Sequence, residues 1–326
     1  MQFQLTRRHL LVCSAAGIAT TTGLVRAQDK PPLRFIVPAS AGSGIDTILR
    51  AVTLPMSKVL GGQPIVVENV AGAGGVPGTQ QIVRAAPDGN TLGFVSNNHT
   101  VNPNVFKKMP FDSLKDITPI CVIGATPFAL VVNSKVPARN LKEFQAMLKA
   151  KPAGHYNYAS SGNGTIIHLA AAQLLEELNV EAKHIPYKGM APMVTDIIAG
   201  VVDFGIVSVP VAQAHVKSGA LRALGVATRQ RVASLPDVPT YAEQGFPNVD
   251  INGWFSVIGP ANMKPADIKR IHTAVLATFA TPEAKDAMSQ QQNVIHPMSV
   301  EDSRSYFETE INRYARLVKK SGVQVD

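Results

Sequence analysis

The sequence predicts an α/β protein built as two lobes, and three observations carry that prediction. Residues 33–96 alternate short apolar strands with amphipathic helices. Residues 128–227 repeat the alternation with a fresh set of strands. After Pro236-Asp237-Val238-Pro239-Thr240 the chain returns with a further strand and two helices. Strand, loop and helix in regular succession are the pattern of a mostly parallel sheet covered by helices on both faces. A lobe interrupted by a second and then resumed implies two crossings, hence a hinge with a cleft beside it.

The elements follow in order. Leu33-Arg34-Phe35-Ile36-Val37 reads as a strand, and a loop of small residues runs from Pro38 to Gly44. Asp46 to Leu60 reads as a helix because Ile48, Leu49, Val52 and Met56 recur at helical spacing. Pro55 inside that span predicts a kink or an early end. Pro64 to Asn69 is the next strand, Ala71-Gly72-Ala73-Gly74-Gly75 a glycine-rich turn, Gly78 to Ala85 a helix, and Thr91 to Ser96 a third strand. In the second lobe Phe128 to Asn133 is a strand, and Asn140 caps a helix from Leu141 to Ala150. Tyr156 to Ala159 is a strand entering Ser160-Ser161-Gly162-Asn163-Gly164-Thr165, with a helix from Ile166 to Leu178 behind it. Helices at Ala191–Ala199 and Val211–Ser218 alternate with strands at Asp203–Val207 and Leu221–Ala227. The return comprises a strand from Trp254 to Gly259, a helix from Pro265 to Ala280, and a terminal helix from Ser299 to Ser321 capped by Ser299. The expected lobe boundaries are 28–126 with 246–326 for the first lobe and 127–245 for the second.

Residues 1–27 stand apart. A basic start containing Arg7-Arg8, a small and apolar run from Leu10 to Leu24, and Val25-Arg26-Ala27 make a secretory leader cleaved near Ala27, so the expected location is the periplasm. The arginine pair leaves both the twin-arginine and the general secretory route open. Cys13 falls within the leader, and Cys121 alone remains, too few for an internal disulfide or a zinc cluster. Its surroundings, Pro119-Ile120-Cys121-Val122-Ile123, make it a buried small hydrophobe. The chain of 326 residues carries a formal charge of +8, three units of it from Arg7, Arg8 and Arg26. That mild positive field favours anions. Without a Lys/Arg block or an aromatic stripe, it does not make a nucleic-acid reader.

Ligands of open α/β sheets bind beyond the carboxyl ends of strands, where helix N-termini converge. Three loops fit. In the first, Pro38 to Asp46, glycines and serines turn backbone N–H groups outward, and Asp46 is read as a cap facing its own backbone. The second, Ala71 to Gly75, lacks the spacing and position of a dinucleotide fingerprint. The third, Ser160 to Thr165, is rich in hydroxyls and amides and opens a helix, which suits it to an anion; a simple cap is its alternative. Asn97-Asn98-His99 can add donors from the first lobe. No nucleophile elbow, zinc-protease helix or phosphate loop occurs, so no catalysis, cofactor or metal is expected. His168 is read as a packing or capping residue.

Several motifs together resemble one family. Val67-Glu68-Asn69 with the Ala71–Gly75 turn, Pro87-Asp88-Gly89-Asn90-Thr91-Leu92, Ser161-Gly162-Asn163-Gly164 with His168-Leu169, His184-Ile185-Pro186-Tyr187-Lys188-Gly189, Leu235-Pro236-Asp237-Val238-Pro239-Thr240, and Trp254 ahead of Gly259-Pro260 look like the tripartite tricarboxylate transporter receptor (Bug) family. The resemblance implies a type II periplasmic-binding-protein fold, two Rossmann-like lobes with a ligand cleft between them. It implies a solute-binding protein for small carboxylates. Carried over by position, the ligand contacts are Ser40, Gly42, Ser43, Gly44, Ser161, Asn163, Gly164 and Thr165, with Asp203 and Ser208, beside Asn97 from the reading above. The expected partners are the carboxylate and membrane transporter subunits, or a sensor-kinase ectodomain to which the ligand is presented, and the expected state is a monomer. One loop departs from the family pattern Pro-Phe-Pro-Pro-Gly-Gly-x-Thr-Asp. It reads Pro38-Ala39-Ser40-Ala41-Gly42-Ser43-Gly44-Ile45-Asp46. Smaller residues and Ile45 in place of a hydroxyl leave room for an aromatic or partly apolar carboxylate.

Overall fold

A computed structural model describes residues 31–321; the leader lies outside them. Along the chain, β1 (Leu33–Val37) runs into α1 (Gly44–Val59), β2 (Ile65–Asn69), α2 (Val76–Val83), β3 (Thr91–Ser96), α3 (Asn98–Val105) and β4 (Ile117–Thr126). Next come β5 (Phe128–Asn133), α4 (Leu141–Lys149), β6 (Asn157–Ser160), α5 (Ile166–Glu177), β7 (Lys183–Pro186), α6 (Met190–Ala199), β8 (Phe204–Ser208), α7 (Val209–Lys217) and β9 (Leu221–Val226). The return holds β10 (Gly253–Pro260), α8 (Pro265–Ala280), α9 (Pro282–Gln290), β11 (Val294–Ile295) and α10 (Val300–Ser321).

Two sheets result, in the orders β11-β4-β10-β3-β1-β2 and β7-β6-β8-β5-β9. Each has a parallel portion. β1 runs parallel to β2 and β3, with Phe35 opposite Val67 and Leu92. β6 runs parallel to β7 and β8, with Ala159 opposite Ile185 and Gly205. The antiparallel strands place the crossings. Gly253 of β10 lies opposite Thr126 at the end of β4, and Phe255 opposite Ser96 at the end of β3. Phe128 at the start of β5 lies opposite Ser208 at the end of β8. Both crossings, Thr126-Pro127-Phe128 and Asn252-Gly253, therefore sit at the carboxyl edges of both parallel portions. The loops on those edges flank one hinge.

Asn252 fastens that hinge. Its Oδ1 accepts from the Phe128 N–H at 3.3 Å, and its Nδ2 donates to the carbonyls of Ala227 and Asp250. Val249 and Ile251, just past the expected return at residue 246, pack in the second core with Phe204, Ile206 and Leu224. Helix α10 also departs from the expected layout. Its Phe307 packs with Trp254 and Ile258 against the first sheet, whereas Tyr314, Leu317 and Val318 pack in the second core. It straddles the hinge.

Helix α1 continues through Pro55 for 16 residues. The ring forfeits one backbone bond. It is buried on the same face as Ile48, Leu49, Val52 and Met56, and that apolar burial holds the helix together. Ser299 caps α10 as expected, its Oγ accepting from the Asp302 N–H at 3.0 Å. Residues 98–105, to which the sequence reading assigned no element, form α3, and β4 extends over ten residues around Cys121. The Cys121 thiol is fully buried and burial pushes its pKa up to about 12, so it is an inert hydrophobe.

Candidate functional site

The first loop is tied from within. The Asp46 carboxylate accepts from the Gly42 N–H at 2.8 Å, from Asn69 Nδ2 at 3.0 Å and from Arg50 Nε at 2.8 Å. Burial alone would raise its pKa; the Gly42 amide, Asn69 and Arg50 together outweigh burial and hold it below the usual carboxylate value. The carboxylate is thus spent on its own loop and on β2, which removes the repulsion it would exert on an anion. Behind it the Gly75 turn presses on β1: a Cβ at Gly75 would come within 2.6 Å of the Pro38 carbonyl, and its φ of +89° suits glycine.

The amides of Gly44, Ile45 and Asp46, in the first turn of α1, have no hydrogen-bond partner among the described residues, as expected of a helix start. Ser40, Gly42 and Gly44 are exposed at this edge. Ser43 is half-buried, and its Oγ is a buried atom without a partner. Ile45 lines a notch of about 10 Å³ with Pro38, Gly74, Thr79, Val95, Ser96, Asn98 and His99.

The second-lobe loop is built in the same way. Thr165 caps α5, its Oγ1 accepting from the His168 N–H at 3.3 Å and donating to the Gly162 carbonyl at 2.8 Å. Ser161 Oγ leans on Thr165 Oγ1 at 3.3 Å. The Gly162 N–H donates to Ser160 Oγ at 3.2 Å, and the Gly164 N–H donates to His168 Nδ1 at 3.3 Å. What remains is informative. The amides of Ser161 and Asn163 have no hydrogen-bond partner among the described residues, and Asn163 is exposed. Helix α5 adds its N-terminal dipole behind them. Ser208 ends β8 at the same edge, half-buried, with its Oγ toward Met190 Sδ at 3.6 Å.

Three expected contacts are corrected. Asp203 precedes β8, so it lies at the opposite edge of the sheet, where its Oδ2 accepts from the Asn157 N–H at 2.7 Å. Asn97 is buried, and its Nδ2 donates to the Asn252 carbonyl at 2.9 Å and to Tyr314 Oη at 2.8 Å. It is a hinge residue whose side-chain amide has both N–H donors engaged. The Gly164 N–H is turned inward onto His168, so Gly164 shapes the loop and gives the ligand no amide.

The expectations gave no role at the site to two residues, His168 as an acceptor and His184, which was named only within a family motif. Their rings stack at 3.7 Å beneath the second-lobe loop. Their signal was in the strand register, which sets His184 beside Tyr158 two residues from Ser160. Among the described residues the loops that follow β7 and β9 at this edge carry three exposed cations, Lys188, Arg229 and Arg231, and no cluster of His, Cys, Asp or Glu is arranged to hold a metal ion.

This geometry has close counterparts. Residues 48–323 match the model of the tripartite tricarboxylate transporter family receptor. The chain is similar to Protein BugT of Bordetella pertussis, 32% identical across 96% of this chain and 95% of that one. Among solved structures it resembles one described as a periplasmic transporter, with TM-score 0.77 and 32% identity over 92% of this chain and 100% of that one. It also resembles the R. palustris protein Rpa4515 with adipate, with TM-score 0.77 and 25% identity over 91% of this chain and 99% of that one. The fold is thus shared with solved structures over most of the chain, and the chain belongs to the tripartite tricarboxylate transporter receptor family.

Proposed function

We propose that this chain is a periplasmic receptor that captures a small carboxylate between its lobes and delivers it to membrane subunits of a tripartite tricarboxylate-type transporter. The observation that carries this reading is the pair of partnerless amide sets on the two loops flanking the hinge: Gly44, Ile45 and Asp46 on one side, Ser161 and Asn163 on the other. A carboxylate is acceptor-only and takes several N–H bonds, each charge-assisted bond contributing about 1.5–3 kcal/mol. Ser40, Ser43, Thr165 and Ser208 add hydroxyls at the same edges. Gly42 supplies the turn that exposes the first set. Contacts from both sides favour the closed arrangement of lobes, and that arrangement is what a transporter recognises. Capture without turnover fits this reading, because Asp46 and Arg50 beside the first loop are engaged in holding it. The adipate carried by Rpa4515 supports a carboxylate as the ligand class.

The ligand is one with an aromatic or partly apolar body. Ile45 and the neighbouring Ala39 and Ala41 present apolar surface where the family pattern has a hydroxyl and larger rings. A calorimetric panel of benzoates, aliphatic diacids and hydroxylated di- and tricarboxylates tests both levels. Preference for the aromatic or long-chain acids is expected. Preference for small polar diacids would overturn the finer reading, and failure of every carboxylate would overturn the coarser one.

A further inference from the structure

The loop that offers Ser161 and Asn163 rests on two aromatic rings that no step of ligand capture uses directly. His168 comes from the first turn of α5 and is 5% exposed; His184 comes from β7. Their rings lie nearly parallel, 16° apart, with centroids at 3.7 Å. Tyr158 of β6 packs beside the pair, its ring centroid 4.9 Å from that of His184 and 6.1 Å from that of His168. Each imidazole holds one end of the loop. His184 Nε2 lies 2.6 Å from Ser160 Oγ, which in turn bonds both the N–H and the carbonyl of Gly162. His168 Nδ1 takes the Gly164 N–H. An N–H can donate only to a bare nitrogen, so His168 is the neutral tautomer with its proton on Nε2. Protonating Nδ1 would set two N–H groups against each other.

We propose that His168 and His184 are positioning residues of the carboxylate loop, a neutral stacked pair whose nitrogens pin Gly164 and Ser160 so that the Ser161 and Asn163 amides stay available. The inference rests on the carboxylate reading above for its consequence, though not for its geometry. Two inward amides at Gly162 and Gly164, with positive φ of 137° and 69°, alternate with two unpaired ones. Without the acceptor at Nδ1, the Gly164 amide would compete for the ligand or for water and the alternation would be lost.

The surroundings keep both rings uncharged. Burial lowers the His168 pKa to about 4, with repulsion from His184 adding to it, and burial lowers that of His184 as well. The titratable group facing them from β6 is Tyr158, and β8 offers none over Phe204–Ser208. Tyr187, beyond β7, is engaged with Asp196 of α6 at 2.7 Å. From α10, Arg313 reaches α5 at Gln173, five residues along from His168. Among the described residues no carboxylate is paired with either ring to favour the imidazolium.

The test has a ligand-free arm and a ligand arm. In nitrogen-15-labelled protein, the Gly164 amide and the His168 ring are followed by NMR from pH 7.5 to 4. The expected result is a ring still neutral at pH 5.5, with the Gly164 amide moving in step with its titration nearer pH 4. In His168→Asn, whose Oδ1 sits where Nδ1 did and cannot protonate, that step should vanish. A Gly164 amide that ignores the ring overturns the proposal. At pH 7, benzoate affinity should fall about tenfold in His168→Leu and stay within about threefold in His168→Asn. Equal affinity of His168→Leu and wild type overturns the proposal too. If benzoate binds none of the three proteins, the ligand reading has failed, and the amide titration still decides the positioning role.

Discussion

At the residue scale, buried imidazoles recur in this molecule, each kept neutral by what surrounds it. His99 in α3 packs against Phe111 and Phe307, and its Nε2 donates to the Ser113 carbonyl at 2.7 Å. A carbonyl only accepts, so Nδ1 is the bare nitrogen, and it is buried without a partner. Burial lowers this pKa to about 4. The unfolded chain takes up a proton near pH 6.5 while the folded one does not, so stability is complete above that value and declines as pH falls toward 4. The full effect is on the order of 3 kcal/mol for this one group. Urea unfolding at pH 7 and pH 4.5 should show a smaller acid-induced loss in His99→Gln, whose amide preserves the donor to Ser113, than in wild type. An identical loss in both proteins would show that His99 titrates normally. Asp46 gives the opposite sign. Its lowered pKa contributes stability above the ordinary carboxylate range, and that contribution is lost as pH drops through the folded-state value.

At the element scale, loop and helix start form single units. Thr165 is both a cap and a candidate ligand contact, and the two roles separate by substitution. Thr165→Ala should cost about 1 kcal/mol of stability in denaturant melts, the usual loss of a cap. It should also weaken carboxylate binding, whereas Thr165→Ser should restore both. Ser161→Ala should weaken binding with little change in stability. Helix α10 gives a second case. Glu310 is 3% exposed, accepts from Trp254 Nε1 at 3.2 Å, and is paired with Arg313 at 3.3 Å; Arg313 also holds Gln173 of α5 and Asp250 beside the hinge. Arg313→Ala leaves a buried carboxylate without its cation and should cost about 3–5 kcal/mol in urea unfolding. A loss under 1 kcal/mol would mean the pair is solvated.

Much at this scale was legible in the sequence, for physical reasons. Strands such as Phe128–Asn133 are dense in β-branched and aromatic residues, and helices such as Pro265–Ala280 carry their own stop and start signals, so local patterning places them. Asp203 was misplaced because an acid at a strand start reads alike whichever edge it occupies, and register with Asn157 decides it. Asn97 was misread because its partners, Asn252 and Tyr314, lie 155 and 217 residues away. The straddling of α10 was hidden for the same reason: amphipathic spacing says that a face is buried, but not against which lobe.

At the scale of the whole molecule, the crossings at Pro127 and Asn252 and the shared helix α10 join two sheets whose carboxyl edges flank the hinge. On the proposed function, lobe closure is expected to be a rotation about Asn252, Asn97 and the Trp254–Glu310 contact. Small-angle scattering should record a smaller radius of gyration on saturation with a bound carboxylate, and an unchanged radius would argue for a rigid cleft. The central claim is capture of a carboxylate by neutral donors from both loops. A crystal structure of the protein purified without refolding and soaked with its best carboxylate tests that claim most directly. The account predicts carboxylate oxygens within about 3 Å of the Ser161 or Asn163 amide, with the ligand body against Ile45. A carboxylate held by Lys188 or another cation, away from these amides, would contradict it.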